Sequence, residues 1–117
     1  MKKYETIKKK DEFSDIINNG HYVKNKYFVL YKKKSNNKIP LFGIAISNNI
    51  GNAVIRNKLK RRVRHLISQN KNLFQNSYKY IIMIRKLASD IDFKNLSEEF
   101  VDLLKKENKW NLKKQKY

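Results

Sequence analysis

The chain has 117 residues and a formal net charge of +18, from 28 lysines and arginines against 10 aspartates and glutamates. This length fits one domain with a single modest core, which excludes a multidomain enzyme. Hydrophobic residues make up 40% of the sequence and aromatic residues 12%, which is too much for an unstructured polycation. We therefore expect a single folded domain over residues 1–117.

The chain contains no cysteine, so disulfides, thiolate nucleophiles and cysteine-ligated zinc are excluded. No apolar run approaches the roughly 18 residues of a membrane span, and the first residues carry no apolar signal-peptide region. We expect a cytoplasmic location.

The charge predicts a polyanionic partner, because bound phosphates relieve the repulsion among so many cations. The acidic residues lie near the two ends, and no carboxylate occurs between Asp15 and Asp90. The middle of the chain is therefore purely cationic. Nucleic acid is the favoured partner over an anionic membrane or another acidic surface.

The hydrophobic pattern predicts seven elements in chain order: a helix at 8–19, a short edge strand at 21–23, strands at 27–31 and 41–46, a helix at 52–70, a strand at 78–85 and a helix after residue 92. Gly20 is a suitable stop for the first helix, and Asp92 can cap the last. The order α-β-β-β-α-β-α predicts an α+β sandwich, with helices packed on a small mixed sheet. Residues from about 106 to 117 have the composition of a frayed basic tail.

The helix at 52–70 is predicted to be amphipathic, with Asn52 as its cap. Its apolar stripe consists of Ile55, Leu59, Val63, Leu66 and Ile67. The residues that border or oppose this stripe include Arg56, Asn57, Lys58, Lys60, Arg61 and Arg64. Arginine forks suit phosphate, and asparagine can bind a base edge or a 2′-hydroxyl. A solvated charged face is the alternative, but the cations have no acidic partner on this helix and repel one another until phosphates bind.

The run from Phe42 to Arg64, FGIAISNNIGNAVIRNKLKRRVR, resembles the signature of the bacterial ribonuclease P protein subunit. In that family a strand and a Ser-Lys-Lys-like turn precede Gly-x-Ala-Val-x-Arg-Asn-Arg-x-Lys-Arg-x-x-Arg. Phe13 followed by Gly20, FVLY at 28–31 and YIIMIRK at 80–86 also occur in the family's order and spacing. The resemblance implies an α+β domain with a left-handed β-α-β crossover, against the usual rule. It also implies the protein subunit of a ribonucleoprotein endoribonuclease that removes the 5′ leader from precursor tRNA.

The resemblance implies two RNA-binding surfaces. The basic helix would bind the catalytic RNA through Arg56, Asn57, Lys58, Lys60, Arg61 and Arg64. A cleft between the first helix and the sheet would bind the precursor tRNA leader through Phe13, Tyr31, Ser47, Arg85 and Lys86. The chain departs from the family at Ile17, where a second aromatic residue is usual, at Asn48 and Asn49, where lysines are usual, and at Lys58, which replaces an arginine.

The resemblance assigns the chemistry to metal ions held by RNA. The sequence agrees independently, because a protein-borne metal site for phosphodiester hydrolysis needs clustered carboxylates and residues 16–89 contain none. We therefore expect no catalytic residue in the protein, no metal or cofactor bound by the protein alone, and Mg²⁺ held mainly by RNA in the ribonucleoprotein. Nothing in the pattern brings the two histidines, His21 and His65, together as an acid–base pair.

Two other functions fit the charge. A structural RNA-binding protein, similar to a small ribosomal protein, would need the basic helix but no aromatic cleft for a single strand. A DNA-binding helix-turn-helix would need two adjacent short helices, whereas strands flank the basic helix here. We therefore expect an RNA partner and no DNA partner.

Overall fold

The computed structural model describes the backbone of residues 5–115 and the side chains of residues 5–108. The helices and strands are α1 (Lys10–Asn19), β1 (His21–Lys24), β2 (Phe28–Lys34), β3 (Leu41–Ile46), α2 (Ala53–Gln69), β4 (Tyr78–Ile84) and α3 (Phe93–Gln115). The predicted order α-β-β-β-α-β-α is confirmed, including the short edge strand. Within the described part of the chain, no helix is long and apolar enough to cross a membrane.

The four strands form one mixed sheet in the order β1-β2-β4-β3. The pairs β1–β2 and β2–β4 are antiparallel, whereas β3 and β4 are parallel. Parallel neighbours need a crossover connection, and α2 supplies it between β3 and β4. The left hand of this crossover stays a prediction from the resemblance.

The larger core lies between one face of the sheet and the helices α2 and α3. Phe42, Tyr80 and Phe74 form its aromatic centre, where the ring centroids of Phe42 and Phe74 are 4.8 Å apart. The buried apolar residues of the two helices are Leu59, Val63, Leu66, Ile67, Leu96, Phe100, Leu103 and Leu104. Both predicted helical stripes are therefore largely confirmed.

Ile55 is the exception in the α2 stripe. It is 41% exposed, and its neighbour Val54 is 74% exposed. Burial in α2 begins only at Leu59, so the first turn of the helix projects beyond the core. Ile55 packs instead beside Gly51 in the preceding turn.

A smaller core lies on the opposite face of the sheet, beneath α1. Ile7, Ile16, Leu41 and Ile81 are its buried residues. The segment before α1 is held by the Ile7 N–H, which donates to the carbonyl oxygen of Phe42 at 2.8 Å. A single short helix covers this face, and Tyr31 and Ala45 at the edge of the core stay half-buried.

The frayed tail predicted from about residue 106 is corrected by the structure. The backbone of α3 stays helical to Gln115. Glu107 is buried and pairs with Lys32 of β2, with 2.5 Å between Oε1 and Nζ, and the Asn108 side chain donates to the carbonyl oxygen of Leu73 at 3.3 Å. The basic composition of residues 106–117 does not reveal these long-range contacts, which hold the helix against the rest of the domain. Residues 116–117 lie outside the described residues.

Candidate nucleic-acid interface

The helix α1 covers only part of its face of the sheet and leaves strand residues half-buried beside it. Side chains alternate along a strand, so Val29, Met83 and Ala45 point to this face from β2, β4 and β3. The strand register places these three residues side by side, and all three are half-buried. They form an apolar floor beside α1, and we call this surface the cleft.

The two predicted aromatic residues of the cleft, Phe13 and Tyr31, belong to one cluster at its α1 side. A β-carbon added to Gly43 would lie 2.5 Å from Phe13 Cζ, so the ring rests directly on the backbone of β3. Tyr31 lies on the same face two strands away, in register with Ile81. Both aromatic side chains are half-buried, so each packs on the core with one part and faces solvent with another.

Ser47, Arg85 and Lys86 lie together at the opposite end of the cleft. Ile46 and Ile84 are register partners on parallel strands, so Ser47 and Arg85 follow at the same edge of the sheet. The Arg85 guanidinium donates to the carbonyl oxygen of Asn25 at 2.7 Å, and Lys86 is exposed. The structure thus brings two cations to the end of the cleft that α1 leaves open.

The predicted basic helix presents an exposed face. Its cap is confirmed, because the Asn52 side chain accepts from the Ile55 N–H at 3.1 Å. The four residues exposed along this face are Asn57, Lys58, Arg61 and Arg64. Over residues 5–108, none of the three cations forms an ion pair with a carboxylate. We call these four residues the cationic face.

Arg56 and Lys60 point elsewhere. The Arg56 guanidinium donates to the carbonyl oxygen of Gly51 at 2.9 Å and to that of Asn48 at 3.5 Å. Arg56 therefore stabilises the turn before α2, and the predicted contact of Arg56 with RNA stays a prediction. Lys60 is half-buried and turns toward β3.

A groove of about 260 Å³ joins the cleft to α2 at the β3 edge of the sheet. Its lining residues are Thr6, Ile7, Phe13, Gly43, Ile44, Lys60 and Arg64. Phe13 was predicted on one surface and Lys60 and Arg64 on the other. The structure makes them neighbours, a relation that hydrophobic spacing along the chain does not reveal.

Two carboxylates near the α1 face of the sheet form close ion pairs with lysines. Glu5 lies 2.6 Å from Lys71, and Asp15 lies 2.5 Å from Lys33. The hydrogen bond from Lys33 lowers the pKa of Asp15 below its ordinary value. Lysines therefore engage Glu5 and Asp15 on this side of the sheet, whereas the cations of the cationic face form no ion pair within residues 5–108.

The histidines lie about four helical turns apart along α3. The His65 ring is 6.0 Å from the ring of Phe93 in the first turn of α3, whereas His21 lines a cavity with Glu107, fourteen residues further along the helix. Fourteen helical residues span about 20 Å. The two imidazoles are therefore not placed to act on one phosphate.

The chain is an α+β domain in which α1 covers part of one face of the sheet, beside an aromatic cleft and a cationic helix. These features define a small RNA-binding protein. The model of the ribonuclease P family matches residues 1–108. The ribonuclease P protein component of Mycoplasma mycoides subsp. mycoides is 38% identical over 106 residues, which cover 90% of this chain and 97% of that protein.

Two solved structures share the fold. A mutant of the Staphylococcus aureus RNase P protein aligns with a TM-score of 0.85 and 31% identity, covering 91% of this chain and 90% of that one. The Thermotoga maritima RNase P protein aligns with a TM-score of 0.79 and 30% identity, covering 87% and 96%. The chain therefore belongs to the ribonuclease P protein family. This confirms the predicted family and fold, and with them a protein component that acts in tRNA processing within a ribonucleoprotein ribonuclease.

Proposed function

We propose that this chain binds two RNA segments at once: the 5′ leader of precursor tRNA in the cleft and the catalytic RNA on the cationic face. The observation that carries the proposal is the presence of two chemically different surfaces on one small sheet. One is aromatic and apolar with cations at its end. The other is the exposed side of a helix, whose cations form no ion pair within residues 5–108. The groove lined by Phe13 and Lys60 connects them, so the two RNAs would meet at the β3 edge.

The cleft suits an unpaired strand because its contacts do not require a base pair. Phe13 and Tyr31 offer ring faces for bases, and each stacked base is worth about 1–3 kcal/mol. Arg85 and Lys86 offer cations for the phosphates at the open end. A folded helix of RNA would not place its bases against this floor.

The cationic face suits the backbone of a large structured RNA. Three cations and Asn57 line one side of α2 and face solvent. Arg56 donates to the carbonyl oxygen of Gly51, so in this proposal it positions the turn before α2, and its own contact with RNA stays a prediction. Most of the affinity on this face would come from phosphate neutralisation and would depend steeply on salt.

The chemistry is assigned to Mg²⁺ held mainly by RNA. The chain's own residues do not fit a catalytic magnesium site, because Glu5, Asp15 and Glu107 are engaged by lysines and residues 16–89 contain no carboxylate. In this proposal the protein contributes binding and orientation of the leader, with no catalytic residue and no cofactor of its own.

Cleavage of a leader-bearing precursor tRNA at low Mg²⁺ tests this function. The reactions contain the chain alone, the catalytic RNA alone, and both together. We expect cleavage that is much faster with both. Specific cleavage by the chain alone would contradict an RNA-borne active site, and an unchanged rate with both would favour the structural RNA-binding protein.

The two surfaces are separated by comparing precursor with mature tRNA in the reconstituted complex. Phe13→Ala and Tyr31→Ala are expected to weaken binding of the leader-bearing form by roughly 5- to 150-fold each, which corresponds to about 1–3 kcal/mol, and to leave mature tRNA unaffected. Ile39→Ala is a matched control, because Ile39 is an exposed apolar residue in the turn between β2 and β3. Equal losses for both RNAs would contradict a leader-binding cleft.

A further inference from the structure

Tyr22 is an exposed aromatic residue that the proposed cleft does not use. It lies on the edge strand β1 and is 60% exposed. Its ring centroid is 5.9 Å from that of Tyr31, with the planes inclined by 47°. The two rings therefore form one aromatic surface that starts in the cleft and continues to the outer edge of the sheet.

The position of Tyr22 is set by tight packing at the end of α1. A β-carbon at Gly20 would lie 2.5 Å from the carbonyl oxygen of Lys32 and 2.6 Å from that of Ile16. The connection between α1 and β1 therefore packs directly against the backbone of β2. Tyr22 follows two residues later in a paired strand, so the sheet fixes its backbone and its ring lies beside that of Tyr31.

Tyr22 also continues the line of the proposed leader site. Register partners run from Tyr22 through Tyr31 and Ile81 to Gly43, which carries the Phe13 ring. Three strand spacings make this row about 14 Å long. Ile81 and Gly43 in this row are buried under α1, so a single strand crosses the sheet over the adjacent half-buried row of Ala45, Met83 and Val29. Coming from the β3 edge, it passes Tyr31 and reaches Tyr22 last.

The charges around Tyr22 favour a nucleotide. Lys24 is exposed on the same face of β1, two residues further along. Asp15, an acidic residue of α1, forms its ion pair with Lys33. Lys33 lies two residues beyond Tyr31 along β2, whereas Val29, the register partner of Lys24, lies two residues before it. This carboxylate is therefore engaged on the side of Tyr31 away from Lys24. A ring face beside a cation is the arrangement that single-stranded nucleic acid sites use for a base and its phosphate.

We propose that Tyr22 is a further base-stacking site for single-stranded RNA, with Lys24 as its phosphate contact. A leader nucleotide that passes Tyr31 stacks on Tyr22, so the site extends the cleft by one nucleotide at the β1 edge. This inference rests on the proposed function, because it takes the strand in the cleft to be the leader.

The test uses the full chain reconstituted with the catalytic RNA and precursor tRNAs whose leaders grow one nucleotide at a time, with Ca²⁺ replacing Mg²⁺ to prevent cleavage. For the unmodified chain, affinity should rise with leader length and then level off. Tyr22→Ala should level off one nucleotide earlier and bind longer leaders about five- to tenfold more weakly, whereas Tyr22→Phe and the control Ile39→Ala should match the unmodified chain. An abasic nucleotide at the last contributing position should weaken the unmodified chain and have no effect on Tyr22→Ala.

The outcomes separate the two proposals. Affinity that rises with leader length equally in the unmodified chain and in Tyr22→Ala would overturn the Tyr22 site and leave the leader cleft standing. Affinity that does not depend on leader length at all would overturn the leader cleft and the Tyr22 site together. Circular dichroism and urea unfolding check that Tyr22→Ala keeps its fold, which its exposed position favours.

Discussion

Replacing Gly43 by alanine tests whether the position of the Phe13 ring determines leader binding. The added β-carbon would lie 2.5 Å from Phe13 Cζ and 3.0 and 3.2 Å from the two adjacent ring carbons. Ordinary contact starts at 3.4 Å, so the nearest ring atom must retreat by about 0.9 Å. The backbone of β3 is paired with β4 on one side and bridged to Thr6 on the other, so the half-buried ring is the part that moves.

The effects on stability and on binding should differ. Overpacking a confined side chain costs about 1–3 kcal/mol, but the Phe13 ring can turn toward solvent, and a Gly→Ala change in a strand recovers about 0.5–1 kcal/mol. The free energy of unfolding should therefore fall by only about 1 kcal/mol. A displaced ring no longer stacks on a base, so affinity for a leader-bearing precursor should fall by roughly 5- to 150-fold, or about 1–3 kcal/mol.

A double-mutant cycle with Phe13→Ala measures this coupling. Precursor binding is titrated for the unmodified chain, both single variants and the double variant, with urea unfolding run in parallel. Without the ring there is nothing for the new methyl group to displace, so Gly43→Ala should cost no further affinity on the Phe13→Ala background. An equal loss on both backgrounds would mean that the substitution acts through the strand, and the reasoning about the ring would be refuted.

Three more predictions follow from the charges. Glu107→Ala leaves Lys32 buried without its carboxylate and should lower the free energy of unfolding by about 3–5 kcal/mol in urea titrations. The double variant Lys32→Met with Glu107→Leu should recover most of the lost stability. A loss below about 1 kcal/mol in Glu107→Ala would contradict a buried ion pair. The folded state lowers the pKa of Asp15, chiefly through the hydrogen bond from Lys33. The ionised Asp15 therefore stabilises the folded chain above its ordinary pKa of 3.8, and this stabilisation is lost as pH falls through the lower folded value. Asp15→Asn should be less stable than the unmodified chain at pH 7 and equally stable in acid, and a difference that persists in acid would exclude this ion pair as the cause. Neutralisation of about six phosphates gives a log–log salt slope of roughly −4 to −5, and replacing the three cations of the cationic face by glutamine should reduce its magnitude by about 2 to 3; an unchanged slope would remove this face from the interface.

The element order, both helical stripes and the cap at Asn52 could be predicted because they depend on local spacing. The helical wheel also identified which side of α2 faces solvent. It did not show how far α2 overlaps the sheet, and Ile55 is exposed because the first turn extends past the core. Periodicity gives the direction of a side chain around the helix axis but not the position of the helix along its partner.

The parts of the site that were not predicted depend on contacts between distant segments. Arg56 turns inward because the carbonyl oxygens of the preceding turn are within reach of its guanidinium. Lys60 meets Phe13 across the β3 edge. Nothing in the local pattern of β1 distinguishes Tyr22 from other strand tyrosines, because its exposure follows from a short edge strand beside a short helix.

The position of β4 between β2 and β3 also governs how the chain must fold. The two outer parts of the sheet have no direct pairing with each other, so they are joined only when residues 78–84 insert between them. Glu107, which reaches back to Lys32, completes the larger core later still. During synthesis from the N-terminus, the cationic helix α2 is therefore made before β4, the central strand of the sheet on which it packs. The sheet can pair completely only when most of the chain is present.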